Sequence, residues 1–107
     1  MKPKSYTLDA WLTPRSILKD LIVNHVRKRY REAYSFKKEK FTFEEPLITF
    51  RELEEKLKIP RPLIIDLLSE LDMKCIIKTA YSHKLKDKII KLKVSLEELD
   101  EIMSSEA

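Results

Sequence analysis

The sequence predicts one α+β domain, built from a three-helix body, a β-hairpin and an additional C-terminal helix. Up to Met73, apolar residues recur at the three- and four-residue steps of amphipathic helices. Two later segments instead alternate apolar and polar residues, as strands do. Proline and capping residues separate these segments. The length of 107 residues fits a single hydrophobic core, so we expect residues 1–107 to form one domain.

The first helix is predicted over residues 14–34, after an N-terminal arm of residues 1–12. Thr13 supplies a capping hydroxyl, and Pro14 suits the first turn because its missing amide hydrogen has no helical partner there. The apolar side chains of this helix form one stripe: Ile17, Leu18, Leu21, Ile22, Val26 and Tyr30. Residues 35–46 have neither helical nor strand spacing, and we expect a basic loop there.

Two shorter helices are predicted over residues 50–58 and 62–73. Thr49 and Glu52 form the pattern of a capping box at the start of the first of them. Residues 59–62 contain two prolines, which prevent one continuous helix because proline restricts the residue before it. The second of these helices has a buried stripe of Leu63, Ile64, Leu67, Leu68 and Leu71.

A β-hairpin is predicted over residues 76–94, because apolar and polar residues alternate on both sides of a lysine-rich tip at residues 82–88. Ser95 and Glu98 form a second capping-box pattern. We therefore expect a final helix over residues 96–105, whose apolar side docks on the body or on another subunit.

Basic residues are concentrated in two stretches of the chain. Residues 1–48 hold eleven Lys and Arg against six Asp and Glu, and residues 76–94 hold six against one, so each stretch has a net charge of +5. Blocks of this kind favour a directed electrostatic surface and an acidic partner. Alternatively, these residues are ordinary solvated surface charge. A thermophile-like composition, rich in Lys and Glu, would account for them without a partner.

Composition argues against several classes of function. The chain has no glycine, which excludes the glycine-rich phosphate loops of nucleotide-binding enzymes. The lone Cys75 excludes an internal disulfide, and His25 and His83 have no partners at metal-ligand spacing. No apolar run reaches the roughly 20 residues that cross a bilayer. We expect a cytoplasmic protein that is not an enzyme and has no cofactor.

Residues 49–71 resemble the helix-turn-helix core of prokaryotic winged helix regulators, and the order of elements over residues 14–94 is similar to the winged helix fold. Residues 72–77 resemble the corner that follows this core, with Cys75 where those proteins commonly have glycine. Without that glycine, we expect the corner to turn without a left-handed residue.

This resemblance implies binding to double-stranded DNA and regulation of transcription. In such proteins the third helix enters the major groove, and the hairpin, or wing, contacts the DNA backbone or minor groove. Carboxylates at Asp66 and Asp72 oppose a polyanion, so we expect modest base readout. The implied DNA-binding residues are Arg61 and Ser69 for base edges, and His83, Lys84, Lys86, Lys88, Lys91, Arg27, Lys28, Arg31, Lys37 and Lys38 for phosphates.

Two further expectations concern protein partners. A winged helix with an acidic and apolar third helix can instead be a protein-interaction module, and Ile65 beside Asp66 fits that alternative. DNA-binding domains of this shape commonly form dimers, which places two recognition elements about 34 Å apart. We expect a homodimer formed through the arm, the first helix or the final helix.

Overall fold

The computed structural model describes residues 10–40 and 45–105, with the backbone alone for residues 35–40 and 105. These residues form a compact α+β fold with four α-helices and one three-stranded antiparallel sheet. The elements, in chain order, are a 3-10 helix (Ala10–Leu12), α1 (Arg15–Lys40), β1 (Ile48–Thr49), α2 (Phe50–Leu57), α3 (Arg61–Met73), β2 (Ile77–Ser82), β3 (Asp87–Leu92) and α4 (Leu96–Ser105).

Helix α1 is longer than its apolar spacing predicts. The expected end at residue 34 and the expected basic loop at 35–40 are wrong, because the helix continues to Lys40. No proline interrupts the chain between Pro14 and Pro46, so the loss of apolar periodicity marks the end of the buried face and not the end of the helix. Residues 41–44 of that predicted loop, and residues 1–9 of the predicted arm, lie outside the described residues.

The predicted pair of shorter helices is confirmed. The Thr49 hydroxyl accepts a hydrogen bond from the Glu52 amide at 3.0 Å and caps α2, as the sequence pattern predicts. Helix α2 ends at Leu57, and Lys58 takes a left-handed conformation with φ 57°. All five apolar residues of the α3 stripe are buried: Leu63, Ile64, Leu67, Leu68 and Leu71.

The predicted hairpin is also confirmed, and it is part of a larger sheet. Strands β2 and β3 pair in antiparallel register from Ile77 opposite Leu92 to Ser82 opposite Asp87. Strand β1 pairs with the other side of β3, which gives the order β1-β3-β2. At the tip, the Ser82 hydroxyl accepts a hydrogen bond from the Leu85 amide at 3.2 Å, and Lys86 has φ 54°.

The corner between α3 and β2 does contain a left-handed residue, contrary to the expectation from the missing glycine. Cys75 has φ 60°, its amide donates to the Asp72 carbonyl at 2.9 Å, and the Ile76 amide donates to the Leu71 carbonyl at 3.2 Å. These two bonds are the pattern of a Schellman motif. Leu71 and Ile76 are both buried, so packing and hydrogen bonds hold Cys75 in a conformation that costs about 1–2 kcal/mol outside glycine.

One hydrophobic core joins the helices and the sheet. Helix α1 contributes Leu18, Ile22 and Val26, and α4 docks on α1 with its fully buried Leu99. The Ser95 hydroxyl accepts a hydrogen bond from the Glu98 amide at 3.1 Å, which confirms the predicted cap of α4. None of the described helices combines the length and the apolar character needed to span a membrane.

Candidate nucleic-acid interface

The tip of the β2–β3 hairpin presents a group of exposed lysines. Lys84, Lys86 and Lys88 are exposed, and none of them forms an ion pair with another residue that the structure describes. Lys78, on the edge strand β2, is also exposed and makes no such pair. The sequence-predicted lysines of the tip are therefore brought together with their charges uncompensated within the described part of the chain.

A shallow groove separates α3 from the hairpin. It encloses about 160 Å³ and is lined by Phe50, Ile65, Leu68, Ser69, Asp72, Thr79 and Lys88. Lys88 is the register partner of Tyr81, so both side chains lie on the same face of the sheet. The Lys88 ammonium lies 5.8 Å from the centre of the Phe50 ring. Lys88 therefore connects the lysines of the tip to the side of α3 that faces the hairpin.

All three carboxylates of α3 have cationic partners on other elements, which lowers the repulsion that the sequence predicted between this helix and a polyanion. The pairs are Asp66 with Arg15 at 2.9 Å, Glu70 with Arg15 and, at 3.3 Å, with Lys19, and Asp72 with Lys93 at 3.2 Å. These groups are partly exposed, so each pair adds little stability. Their consequence is electrostatic, because α3 no longer presents an isolated negative charge.

Arg61, the predicted base-reading residue, is engaged by two carboxylates. Its guanidinium donates to both oxygens of Asp87, at 3.0 and 3.3 Å, and its Nε donates to Glu54 at 3.0 Å. Asp87 also accepts from the amides of Arg51, at 3.0 Å, and Lys88, at 2.8 Å. Asp87 is only 4% exposed and is the one buried charged side chain among the described residues. It ties the tip end of β3 to the N-termini of α2 and α3.

The Asp87 carboxylate is held in its charged form. Burial on its own raises the pKa of this carboxyl, but the hydrogen bonds from Arg61 and from the Arg51 and Lys88 amides outweigh burial. Its pKa therefore lies below the ordinary value of 3.8. The same contact, followed by the hydrogen bond to Glu54, raises the pKa of Arg61. Both groups are charged throughout the physiological range of pH.

The predicted cations of α1 are placed differently from those of the hairpin. Arg27 and Arg31 both face Asp100 of α4, with the Arg27 Nε 2.7 Å from Oδ1 and the Arg31 Nη2 3.4 Å from Oδ2. The Arg27 contact lacks hydrogen-bond alignment, so it is a charge contact only. Lys28 is exposed on the same helix. Lys37 and Lys38 belong to α1, but the structure describes only their backbone.

Three other predicted residues lie on or near the hairpin and α3. Ser69 is exposed on α3 and lines the groove. The His83 ring packs edge-on against Tyr81, with the ring centres 5.0 Å apart. Lys91 lies 3.8 Å from Glu45 and is half-buried, so its charge is partly compensated. The groove thus combines Ser69 with Lys88, whereas Lys91 is less available.

The residues that sequence reasoning missed belong to β2. Thr79 and Tyr81 lie on the face of the hairpin that carries Lys88, and Lys78 is exposed on the opposite face. The alternation of β2 predicts which of these residues share a face, but only the register with β3 and the position of α3 show that Thr79 lines the groove. The sequence therefore predicts that Thr79 and Tyr81 share a face of the hairpin, but it does not predict that Thr79 lines a groove beside α3.

The histidine of α1 has a structural partner. The His25 Nε2 lies 2.5 Å from the Glu52 carboxylate, which also accepts from the Arg29 Nε at 3.0 Å. This network joins α1 to α2. In the described ranges, no three His, Cys, Asp or Glu side chains are grouped so that they could hold a metal ion.

Comparisons with protein-family models, curated proteins and solved structures give no match to this chain.

Proposed function

We propose that this chain is a winged helix-turn-helix protein that binds double-stranded DNA and regulates transcription. In this proposal α2 and α3 form the helix-turn-helix, and the β2–β3 hairpin is the wing. The order of the elements supports it, because α1, a short strand, two helices joined by a tight turn, and a hairpin follow one another as in that fold. The three-stranded antiparallel sheet that β1 completes is compatible with it as well.

One observation carries the proposal: the cations of the wing tip are uncompensated while the anions of α3 are paired. Lys84, Lys86 and Lys88 have no carboxylate partner among the described residues, and every carboxylate of α3 has a cationic one. Lysine contacts to phosphates release counterions and supply most of the sequence-independent affinity for DNA. The side of the molecule that carries α3 and the wing is thus electrostatically suited to a duplex.

The roles within this interface follow from exposure. Lysines of the wing contact phosphates and set the position of the protein, and Ser69 on α3 offers a hydroxyl to a base edge. Arg61 is left out of base reading, because a contact with DNA would break its hydrogen bonds to the buried Asp87. Arg27 and Arg31 are secondary, since the one carboxylate of Asp100 already offsets part of their charge. Lys28 is exposed on the same helix and stays a candidate phosphate contact.

The test is the salt dependence of binding to a random-sequence duplex, measured by fluorescence anisotropy. If the wing tip contacts three phosphates, the triple variant Lys84→Ala, Lys86→Ala, Lys88→Ala lowers the log-log salt slope by about 2.7. The matched control replaces the same three lysines with arginine, which keeps the charge and should keep the slope. Wild-type binding that is weak at low salt and shows a slope near zero contradicts the proposal.

A protein-interaction module is the second candidate, and the exposed apolar side chains of α3 favour it. Ile65 is 44% exposed on α3, and Met73, at the end of that helix, is 83% exposed. Apolar surface of this kind is common at contacts with proteins. The salt experiment separates the two candidates, because apolar contacts with a protein release few counterions and give a shallow slope.

We also propose that two copies of the chain pair. Trp11 is 64% exposed, Leu12 83% and Ile17 48%, and the three lie close in sequence at the start of α1. Pairing through this end is expected to place two α3 helices on successive turns of DNA. Sedimentation equilibrium tests the pairing: Leu12→Glu should shift a dimer to monomer, and a wild type that is monomeric at all concentrations contradicts it.

A further inference from the structure

We propose that Ile65 selects thymine at the DNA surface by packing against the thymine 5-methyl group. This inference rests on the proposed DNA binding and names the kind of base edge that α3 prefers. It predicts a protein that distinguishes bases mainly by an apolar contact rather than by a charged one.

The position of Ile65 is the first argument. It lies in the N-terminal half of α3, the part of a recognition helix that reaches base edges most often. It is 44% exposed in a helix whose leucines and other isoleucine are all buried, so it is not a member of the core. Ser69 follows four residues later on the same side of the helix, and both residues line the groove beside Lys88. A duplex held by the wing lysines therefore passes close to Ile65.

The second argument is that the charged side chains of α3 are already engaged. Arg61 is bound to Asp87 and Glu54, and Asp66, Glu70 and Asp72 are paired with cations. Ser69 is the one uncharged hydrogen-bonding side chain of α3, whose sequence holds no Asn, Gln, Thr or Tyr. Recognition by this helix must therefore come from Ser69 and from apolar contact.

The chemistry of the major groove then favours one base. The 5-methyl group of thymine is the only alkyl group among the four base edges there, whereas the other positions, apart from the C5–H of cytosine, are hydrogen-bond donors or acceptors. An isoleucine placed against a donor or acceptor removes water from it without replacing the hydrogen bond. Against the methyl group, burial is favourable and corresponds to about a fourfold gain in affinity for one methyl.

The experiment compares duplexes that differ only in this methyl group. Uracil has the hydrogen-bonding groups of thymine without the methyl, so alternating dA-dT and dA-dU duplexes isolate it. We expect the wild type to bind the dA-dT duplex about fourfold more tightly for each methyl contacted. Alternating dG-dC duplexes with and without 5-methylcytosine give the converse test, and the methylated duplex should bind more tightly by a similar factor.

Two variants assign the effect to the residue. Ile65→Ala should bind the dA-dT and dA-dU duplexes equally, with its salt slope unchanged. Leu47→Ala is the matched control, because Leu47 is 46% exposed, precedes β1 and does not line the groove. It should keep the full preference for thymine. Both substitutions are at exposed sites, so circular dichroism melts should confirm that each variant folds.

The outcomes separate this inference from the proposed function. Steep, salt-dependent binding with equal affinity for the two duplexes overturns the role of Ile65 and leaves DNA binding intact. A preference for thymine that persists in Ile65→Ala also overturns it, because another group then senses the methyl. If the protein shows salt-dependent binding to none of the duplexes, the proposed function itself is overturned.

Discussion

The two basic stretches of this chain have the same net charge, but most described cations of the first are paired, with Lys28 as the exception, and most of the second are unpaired, with Lys91 and Lys93 as the exceptions. In residues 1–48, Arg15, Lys19, Arg27, Arg29 and Arg31 all face carboxylates on α2, α3 or α4. In residues 76–94, Lys78, Lys84, Lys86 and Lys88 face none that the structure describes. Charge counted along a sequence therefore shows where cations are concentrated, and only the fold shows which of them remain for a partner.

The difference has a simple physical origin. Helix α1 packs against three other helices, so cations beside its buried stripe meet the polar edges of its neighbours. At the hairpin tip the lysines are exposed, and the one acid, Asp87, is turned inward to Arg61. Cations at a packed surface become part of the fold, whereas cations at an exposed turn stay in solvent.

The largest expected effect comes from removing the acid that fixes the wing to the body. Asp87→Ala leaves the Arg51 amide and part of the Arg61 guanidinium without their partner, and the free energy of unfolding should fall by about 2–3 kcal/mol. The loss is smaller than for a fully buried pair because Arg61 keeps Glu54 and partial contact with water. Urea denaturation measures the change, and a loss below about 0.5 kcal/mol, the usual range for surface substitutions, contradicts the anchoring role.

The same carboxylate predicts an acid-sensitive step in stability. The pKa of Asp87 is lower in the folded chain than its ordinary value of 3.8, so its contribution is fully present above 3.8 and is lost as the pH falls through the folded pKa. Asp87→Asn should be less stable than wild type at neutral pH and should lack this step. Parallel loss of stability in both proteins across that acid range assigns the step to other carboxyl groups.

The next effect tests the comparison of the two stretches directly. Lys84→Ala with Lys86→Ala should lower the log-log salt slope of DNA binding by about 1.8, because two phosphate contacts are lost. Arg27→Ala with Arg31→Ala removes the same charge and should change that slope by less than about 0.5. The variant Arg27→Ala with Arg31→Ala should instead lose a little thermal stability, since the ion pairs that it removes from Asp100 are exposed and weak. Equal changes in slope would show that paired and unpaired cations contribute alike.

The smallest effect concerns the corner that joins α3 to the second basic stretch. Cys75→Gly removes the strain of a left-handed side chain but makes the unfolded chain more flexible, so the net gain should be about 0.5 kcal/mol. Cys75→Val should have the opposite sign, because a β-branched residue is disfavoured at positive φ. Thermal melts of the two variants compare them, and a destabilised Cys75→Gly contradicts the strain.

Local patterns predicted most of the helices and strands of this fold. The Thr49 and Ser95 caps, the prolines at 60 and 62 and the alternation of the hairpin each act within a few residues, and each was confirmed. The wrong predictions concern places where short-range sequence patterns give no information or where other interactions outweigh them. Residues 35–40 stay helical without an apolar face, and Cys75 adopts the conformation expected of glycine because the hydrogen bonds of the corner require it.

The charges of the candidate interface were less predictable, because their partners are distant in sequence. Arg15 and Glu70 are 55 residues apart, and Arg61 and Asp87 are 26 apart. Neither contact leaves a signal at short range. The sequence therefore predicted repulsion from α3 and a base contact by Arg61, whereas the structure pairs the acids of α3 and holds Arg61 against Asp87 and Glu54. The lysines of the tip were predictable because a turn between two alternating strands projects.

The left-handed residues Lys58, Cys75 and Lys86 have a consequence for how this chain tolerates heat. In a sequence without glycine, side chains restrict every backbone position of the denatured ensemble, so melting releases less entropy than it does in a glycine-containing chain. That entropic advantage is multiplied by the absolute temperature, whereas the three local strains are nearly constant. As the temperature rises, the entropic advantage therefore grows relative to the strain, and their sum increasingly favours the native state.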